Sequence, residues 1–205
     1  MGRVRDAELE QRLLAAAWDV VTNSGYDALS FARVATRADA HRSDIYRRWT
    51  TKAQLVTAAM DAHLPPVEPF DTGSLRGDIR AYLAALWESW SSEWLEVAIG
   101  VLADLDADAE RTFRTLTLRR GQPLRDAIVR AVRCGELADM PDLAMLGDLL
   151  EGPLMHRRLV GRQVMTLDEL DVLADIVHGL MTARTASAVP AAPAPSALPA
   201  RVEAS

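Results

Sequence analysis

Ser30-Phe31-Ala32-Arg33-Val34-Ala35-Thr36-Arg37-Ala38-Asp39-Ala40-His41-Arg42-Ser43-Asp44-Ile45-Tyr46-Arg47-Arg48-Trp49-Thr50-Thr51-Lys52 is the stretch that decides the fold. Ser30 has the hydroxyl that caps a helix start, and Phe31, Val34, Ala35 and Ala38 give the helix an apolar face. Asp39-Ala40-His41 leaves room only for a tight turn. A second short helix follows over about residues 42–48, and Thr51 caps the next one. Two short helices joined by a tight turn, after a longer helix, form a helix-turn-helix.

The faces of the second helix separate by spacing. His41, Ile45 and Trp49 fall at i, i+4 and i+8, and Ile45 and Trp49 suit packing onto Val34 and Ala38. Arg42, Ser43, Tyr46 and Arg47 share the opposite side. Arginine grips guanine edges bidentately, while serine and tyrosine donate to phosphate. Lys52 lies in the first turn of the following helix, where its ammonium and free backbone N–H groups suit a phosphate. Ser30, Arg33, Asp44 and Arg48 complete the expected DNA-facing set. Charge and periodicity alone fit equally well the polar face of a small helical bundle.

Outward from this stretch the pattern stays helical. Residues 6–24 form an amphipathic helix with Leu9, Leu13, Ala17, Val20 and Val21 on one side, closed by Gly25. A helix over 52–63 carries Leu55, Val56, Ala59 and Met60 and stops at Pro65-Pro66. Further helices are expected near 75–91, 93–106, 108–134, 142–161 and 168–185, about nine in all. Gly121-Gln122-Pro123 and Gly152-Pro153 are expected to kink or divide two of them. The fold class is all-α: a three-helix head over 1–52, a larger helical body over 53–185 with 52–63 as connector, and an Ala/Pro-rich tail over 186–205 expected to be disordered.

Composition agrees with that reading. Of 205 residues, 49% are apolar and 25% charged, the balance of a globular protein. The net charge is −6, yet residues 30–52 hold six basic and two acidic side chains, so this segment is +4 and the remainder −10. Phosphate attraction acts within a Debye length of ~8–10 Å, so a basic head on an acidic body still suits DNA. The single cysteine, Cys134, allows no intrachain disulfide. With no long apolar run and a charged N-terminus, a soluble cytoplasmic protein is expected.

The run Gly25-Tyr26-Asp27-Ala28-Leu29-Ser30-Phe31, then Val34-Ala35, Ala38, Ile45-Tyr46-Arg47-Arg48-Trp49, Lys52 and Leu55 resembles the N-terminal domain of TetR/AcrR transcription regulators. The resemblance implies that Tyr46 and Lys52 contact phosphates and that Arg42, Ser43 and Arg47 contact bases. Two positions depart from the pattern. Asp39 replaces the usual turn glycine, and Asp44 replaces a small hydroxyl two residues before the tyrosine. Asp44 faces three roles: repelling phosphate, accepting from a cytosine amino group, or pairing with Arg48 at i+4.

Gly152-Pro153-Leu154-Met155-His156-Arg157-Arg158-Leu159 is similar to a stretch in the C-terminal domain of a TetR subgroup, where the last two helices pair across a two-fold axis. That resemblance implies a homodimer through Leu146, Leu149, Leu150 and Leu154 on one helix and Leu173, Ile176, Val177 and Leu180 on the next. Both stripes also read as intrachain core. Dimerisation is favoured because such heads need two half-sites one DNA turn (~34 Å) apart.

Trp87, Trp90 and Trp94 fall at i, i+3 and i+7, continuing back through Leu83 and Ile79. This stripe is either core or, as the family implies, the wall of an effector cavity. Met60, Phe113, Leu116, Met155 and His156 join the expected lining, with Glu88 and Arg119 as further polar candidates; the chemistry suits an apolar or aromatic effector.

Catalytic patterns are missing from the sequence. His41, His63, His156 and His178 have no metal-ligand spacing with Cys134, so no metal site and no cofactor are expected. Asp104, Asp106 and Asp108 resemble the start of a calcium loop without its glycine and later glutamate, and read as a solvated turn. The sequence points to a non-enzymatic DNA-binding regulator, a repressor binding a palindromic operator as a homodimer and released by a small molecule. The competing reading is a helical interaction or sensor module without operator binding.

Overall fold

A computed structural model describes residues 2–91 and 94–186. The tail from 187 onward and the side chains of Trp90 and Trp94 lie outside the described residues. Among the described residues the secondary structure is nine helices: α1 (Gly2–Ser24), α2 (Phe31–Arg37), α3 (Arg42–Tyr46), α4 (Lys52–His63), α5 (Leu75–Ser91), α6 (Trp94–Ala103), α7 (Ala107–Cys134), α8 (Leu143–Leu159) and α9 (Leu167–Ala186).

Side-chain oxygens set several starts. The Ser30 hydroxyl accepts from the Arg33 N–H at 3.3 Å, and Thr51 accepts from Gln54 N–H at 3.2 Å. Asp106 accepts from the N–H groups of Asp108 and Ala109, and Asp142 from those of Ala144 and Met145. Each satisfies donors that the first helical turn leaves open. Gly25 ends α1 at φ +79°, the left-handed geometry that glycine takes without steric cost.

The expected breaks at the two prolines do not divide the chain. Pro123 lies inside a single α7 of 28 residues, and Pro153 inside a single α8 of 17. Proline removes one ladder hydrogen bond in each, a local loss that packing along the rest of the helix outweighs. Helix α3 is shorter than the expected 42–48, ending at Tyr46.

Two cores hold the helices together. The first joins Leu13, Ala17, Val20, Val34, Ile45, Trp49, Leu55 and Ala59 with Val97, Ala98 and Val101 of α6 and Leu116 of α7. The second joins Ile79, Leu83, Leu124, Ile128, Leu150, Leu170, Ala174 and Val177 from α5, α7, α8 and α9. Helix α4 packs against both α1 and α7, so one rod touches the head and the body. Asp78 is buried in α5, where its carboxylate accepts from the Thr72 amide and hydroxyl and pairs with Arg130 at 2.8 Å.

Candidate nucleic-acid interface and inner cavity

Helix α3 has five residues, too few to persist in water alone. Its shape comes from its ends and from what lies beneath. At the start, Asp44 Oδ2 accepts from the His41 N–H at 3.3 Å, the reciprocal half of a capping box. Beneath it, Ile45 is fully buried and Trp49 nearly so. Arg42, Ser43, Tyr46 and Arg47 are left exposed together. The Tyr46 ring stands edge-on to Phe31 with centroids 4.9 Å apart, yet Tyr46 remains 58% exposed. Aromatic packing thus fixes a side chain that still faces solvent.

The capping bond gives Asp44 a structural role that its spacing did not disclose. Its side chain is only 20% exposed, and it also lies 3.5 Å from Arg47 Nη1. The pairing of its carboxylate with Arg48 is not formed. Arg48 instead donates to the main-chain oxygen of Asp44 at 2.9 Å and turns to Asp6 and Glu10 of α1. With its side chain 11% exposed, Arg48 ties α3 to α1 instead of standing free beside Arg42 and Arg47. Ser30 caps α2, and Arg33 donates to Ser24 at 2.9 Å, so both support the head from its side. Asp39 takes φ +48°, the left-handed geometry that explains why a glycine suits this turn and why aspartate can replace it.

Arg47 is 61% exposed and its guanidinium lies 3.4 Å from Asp6. Asp6 therefore competes with any phosphate or base edge for Arg47. Asp6→Asn is expected to tighten DNA binding roughly twofold, the scale of an exposed ion pair at ~0.5 kcal/mol. An anisotropy titration checks this, and weaker binding would mean that Asp6 acts mainly by holding Arg48.

Lys52 Nζ sits 3.8 Å from the centroid of the Tyr26 ring, a cation–π contact that leaves N–H donors for an arriving oxygen. The Tyr26 hydroxyl donates to Asp104 at 3.0 Å, and burial together with that carboxylate pushes the phenol pKa up. One residue pair on, Thr51 Oγ1 and Gln54 Nε2 both donate to Asp106 Oδ2, at 2.7 and 3.0 Å. The Ala109 N–H and the Thr51 hydroxyl lower the Asp106 carboxyl pKa. The turn that reads as solvated is therefore the clamp between head and body. The partner of Asp106, 55 residues away along the chain, leaves no signal in the sequence.

Inside the body lies a cavity of about 140 Å³. Met60, Phe113, Leu116 and Met155 line it as expected. Leu83 belongs instead to the second core, His156 is exposed, and Trp87 donates its indole N–H to the Met165 carbonyl at 2.6 Å. Periodicity places these on the right helices but does not tell which side of each helix meets the void. The remaining wall includes Leu86, Leu95, Ile99 and Leu102, with Tyr82, Ser89, Thr117, Arg120 and Glu151 as polar groups. Glu88 and Arg119 are not among the lining residues, and Arg119 pairs with Asp61 at 2.9 Å.

The two outer stripes divide. Leu146, Leu150, Leu154, Leu173 and Val177 are buried in the chain's own core, which removes them from a subunit contact. Leu149, Ile176 and Leu180 are exposed, at 39%, 54% and 50%, beside exposed Met145 and Val172. Val172, Ile176 and Leu180 repeat at i, i+4 and i+8, one apolar line on the outside of α9. No described helix is long and apolar enough to cross a membrane.

Comparisons with known proteins meet this geometry. The family model described as "Bacterial regulatory proteins, tetR family" matches residues 13–59, and "Tetracyclin repressor-like, C-terminal domain" matches residues 69–192. The chain is 34% identical to the DNA-binding transcriptional repressor TetR of Mycobacteroides abscessus, over 73% of this chain and 81% of that protein. It is 33% identical to the HTH-type transcriptional regulator AqdR of Rhodococcus erythropolis, over 75% of each. Among solved structures, the TetR family transcription regulator SCO0332 aligns with a TM-score of 0.64 at 24% identity, over 84% of this chain and 98% of that one.

Proposed function

Since the chain belongs to the tetR family of bacterial regulatory proteins and is a DNA-binding transcriptional regulator, we propose that it is a repressor which holds its operator as a homodimer and releases it when a small apolar or aromatic molecule enters the inner cavity. The observation that carries this reading is the exposed group Arg42, Ser43, Tyr46 and Arg47 on a helix anchored by Ile45. Arg42 and Arg47 read bases, Ser43 and Tyr46 reach phosphates, and Lys52 holds a phosphate from the start of α4.

The outer faces of α8 and α9, through Leu149, Ile176 and Leu180 with Met145 and Val172, form the subunit contact. Two heads then meet successive half-sites of a palindrome. Release works through α4. Met60 of this helix and Leu64 at its C-cap line the cavity, while Leu55 of the same helix shares the first core with Ile45 of α3. A molecule that binds better when α4 is displaced shifts the heads out of register, by no more than its differential affinity for the two states.

Arg47→Ala is expected to weaken binding to the regulator's own upstream region by ~1–3 kcal/mol and to relax base preference at one position. Lys52→Ala should weaken all sequences alike and reduce the salt slope by ~1. Anisotropy titrations at several salt concentrations check both. An unchanged Arg47→Ala titration removes Arg47 from base reading, and a sequence-selective loss in Lys52→Ala removes the phosphate role.

A further inference from the structure

The cavity's apolar wall, formed by Met60, Leu102, Phe113 and Met155 among others, has the size for one aromatic ring. An apolar void of ~150 Å³ holds one benzene, and this one measures about 140 Å³. Two charged side chains face it, and they differ in how far they are satisfied. The Arg120 guanidinium donates to the Pro65 carbonyl and to the Ser89 hydroxyl, so its fork is tied to the chain. Glu151, on α8 one turn before Met155, accepts no hydrogen bond and reaches no basic group at ion-pair distance among the described residues. It feels Arg120 only as a distant attraction.

We propose that the cavity takes an apolar molecule bearing one protonated amine, with the Glu151 carboxylate as its counter-ion. The proposal rests on the reading of this cavity as the effector site. A partly buried carboxylate without a donor is unfavourable, and its environment reflects this: burial raises the Glu151 pKa and lowers that of Arg120. An incoming ammonium supplies the missing donor and the missing charge together, and such bonds are about twice as strong as neutral ones. A neutral hydroxyl supplies only the donor. An anion would meet Glu151 directly, with Asp148 adding to the repulsion. The ring of the ligand meets Phe113 and the methionine thioethers, and the thioethers adapt to an irregular shape.

Three probes of one shape test this by calorimetric titration of the full chain: 2-phenylethylammonium, 2-phenylethanol and phenylacetate. The ammonium is expected to bind about tenfold tighter than the alcohol, with phenylacetate weakest. In Glu151→Gln, which keeps the side chain's volume, the ammonium should lose its advantage over the alcohol. Equal affinity for ammonium and alcohol in the unaltered protein, or an advantage that survives Glu151→Gln, overturns the counter-ion while the cavity remains a site. Tightest binding of phenylacetate overturns it in favour of Arg120. If no probe binds at millimolar concentration, the cavity reading falls, and the proposal with it. Should Glu151→Gln fail to fold, the three-probe comparison on the unaltered protein decides alone.

Discussion

Ile45→Ala should lower stability by about 3 kcal/mol and abolish DNA binding, although Ile45 faces away from the groove. Ile45 is fully buried in the first core. It is the one buried residue within the five that make up α3. Removing its outer carbons opens a void that Val34 and Ala38 can only partly close, because their own backbones are held by α1. The loss appears as a fall of ~6–12 °C in the melting temperature of a chain this size. Its functional effect is larger than that of deleting any single contact, because Arg42, Ser43, Tyr46 and Arg47 all move together. Calorimetry and an anisotropy titration read the two effects; a variant that melts normally and still binds its operator would show that α3 is held by its caps instead.

Asp78→Ala is expected to cost a further body-specific ~2–3 kcal/mol, the penalty for leaving a largely buried charge and donors without a partner. Asp78 is 3% exposed and takes bonds from Thr72 and Arg130. The Arg130 side chain is 35% exposed and also donates to the Phe70 carbonyl, which keeps the loss below that of a fully buried pair. Asp78→Asn, which can still accept from Thr72, should fall between the two in urea unfolding. Because the site lies in the second core, DNA affinity per folded molecule should be retained. Equal stability of Asp78→Ala and the unaltered protein would contradict the assignment.

What the sequence discloses depends on distance along the chain. Helices, caps and the inner and outer faces of α3 are local properties, so Ser30, Thr51, Gly25, Ile45 and Trp49 are legible from spacing alone. Asp44 is a partial case: the capping pattern is local, but its single charge fits several roles until the His41 amide is seen beside it. Arg48 reads from spacing as part of the DNA-facing set, because Asp6 and Glu10 reach it only after α1 and α3 pack. The outer stripes failed in the same way. Leu149 and Leu150 are neighbours in sequence, and only tertiary packing determines which of them is exposed. Glu151, the cavity's most distinctive group, has no local signature, since a glutamate in a helix ordinarily faces water.

The first core has a consequence for how the molecule comes into being. It closes with Val97, Ala98, Val101 and Leu116, and its connector is clamped by Asp106. A ribosome adding ~5–20 residues per second exposes the reading helix several seconds before those partners emerge. The nascent head therefore spends that interval with part of its apolar surface open, and residues 1–63 severed from the rest would share the same deficit. The first core therefore closes late in synthesis, when α6 and α7 have been laid against α1 and α4, so the helix-turn-helix and the cavity-bearing helices mature together.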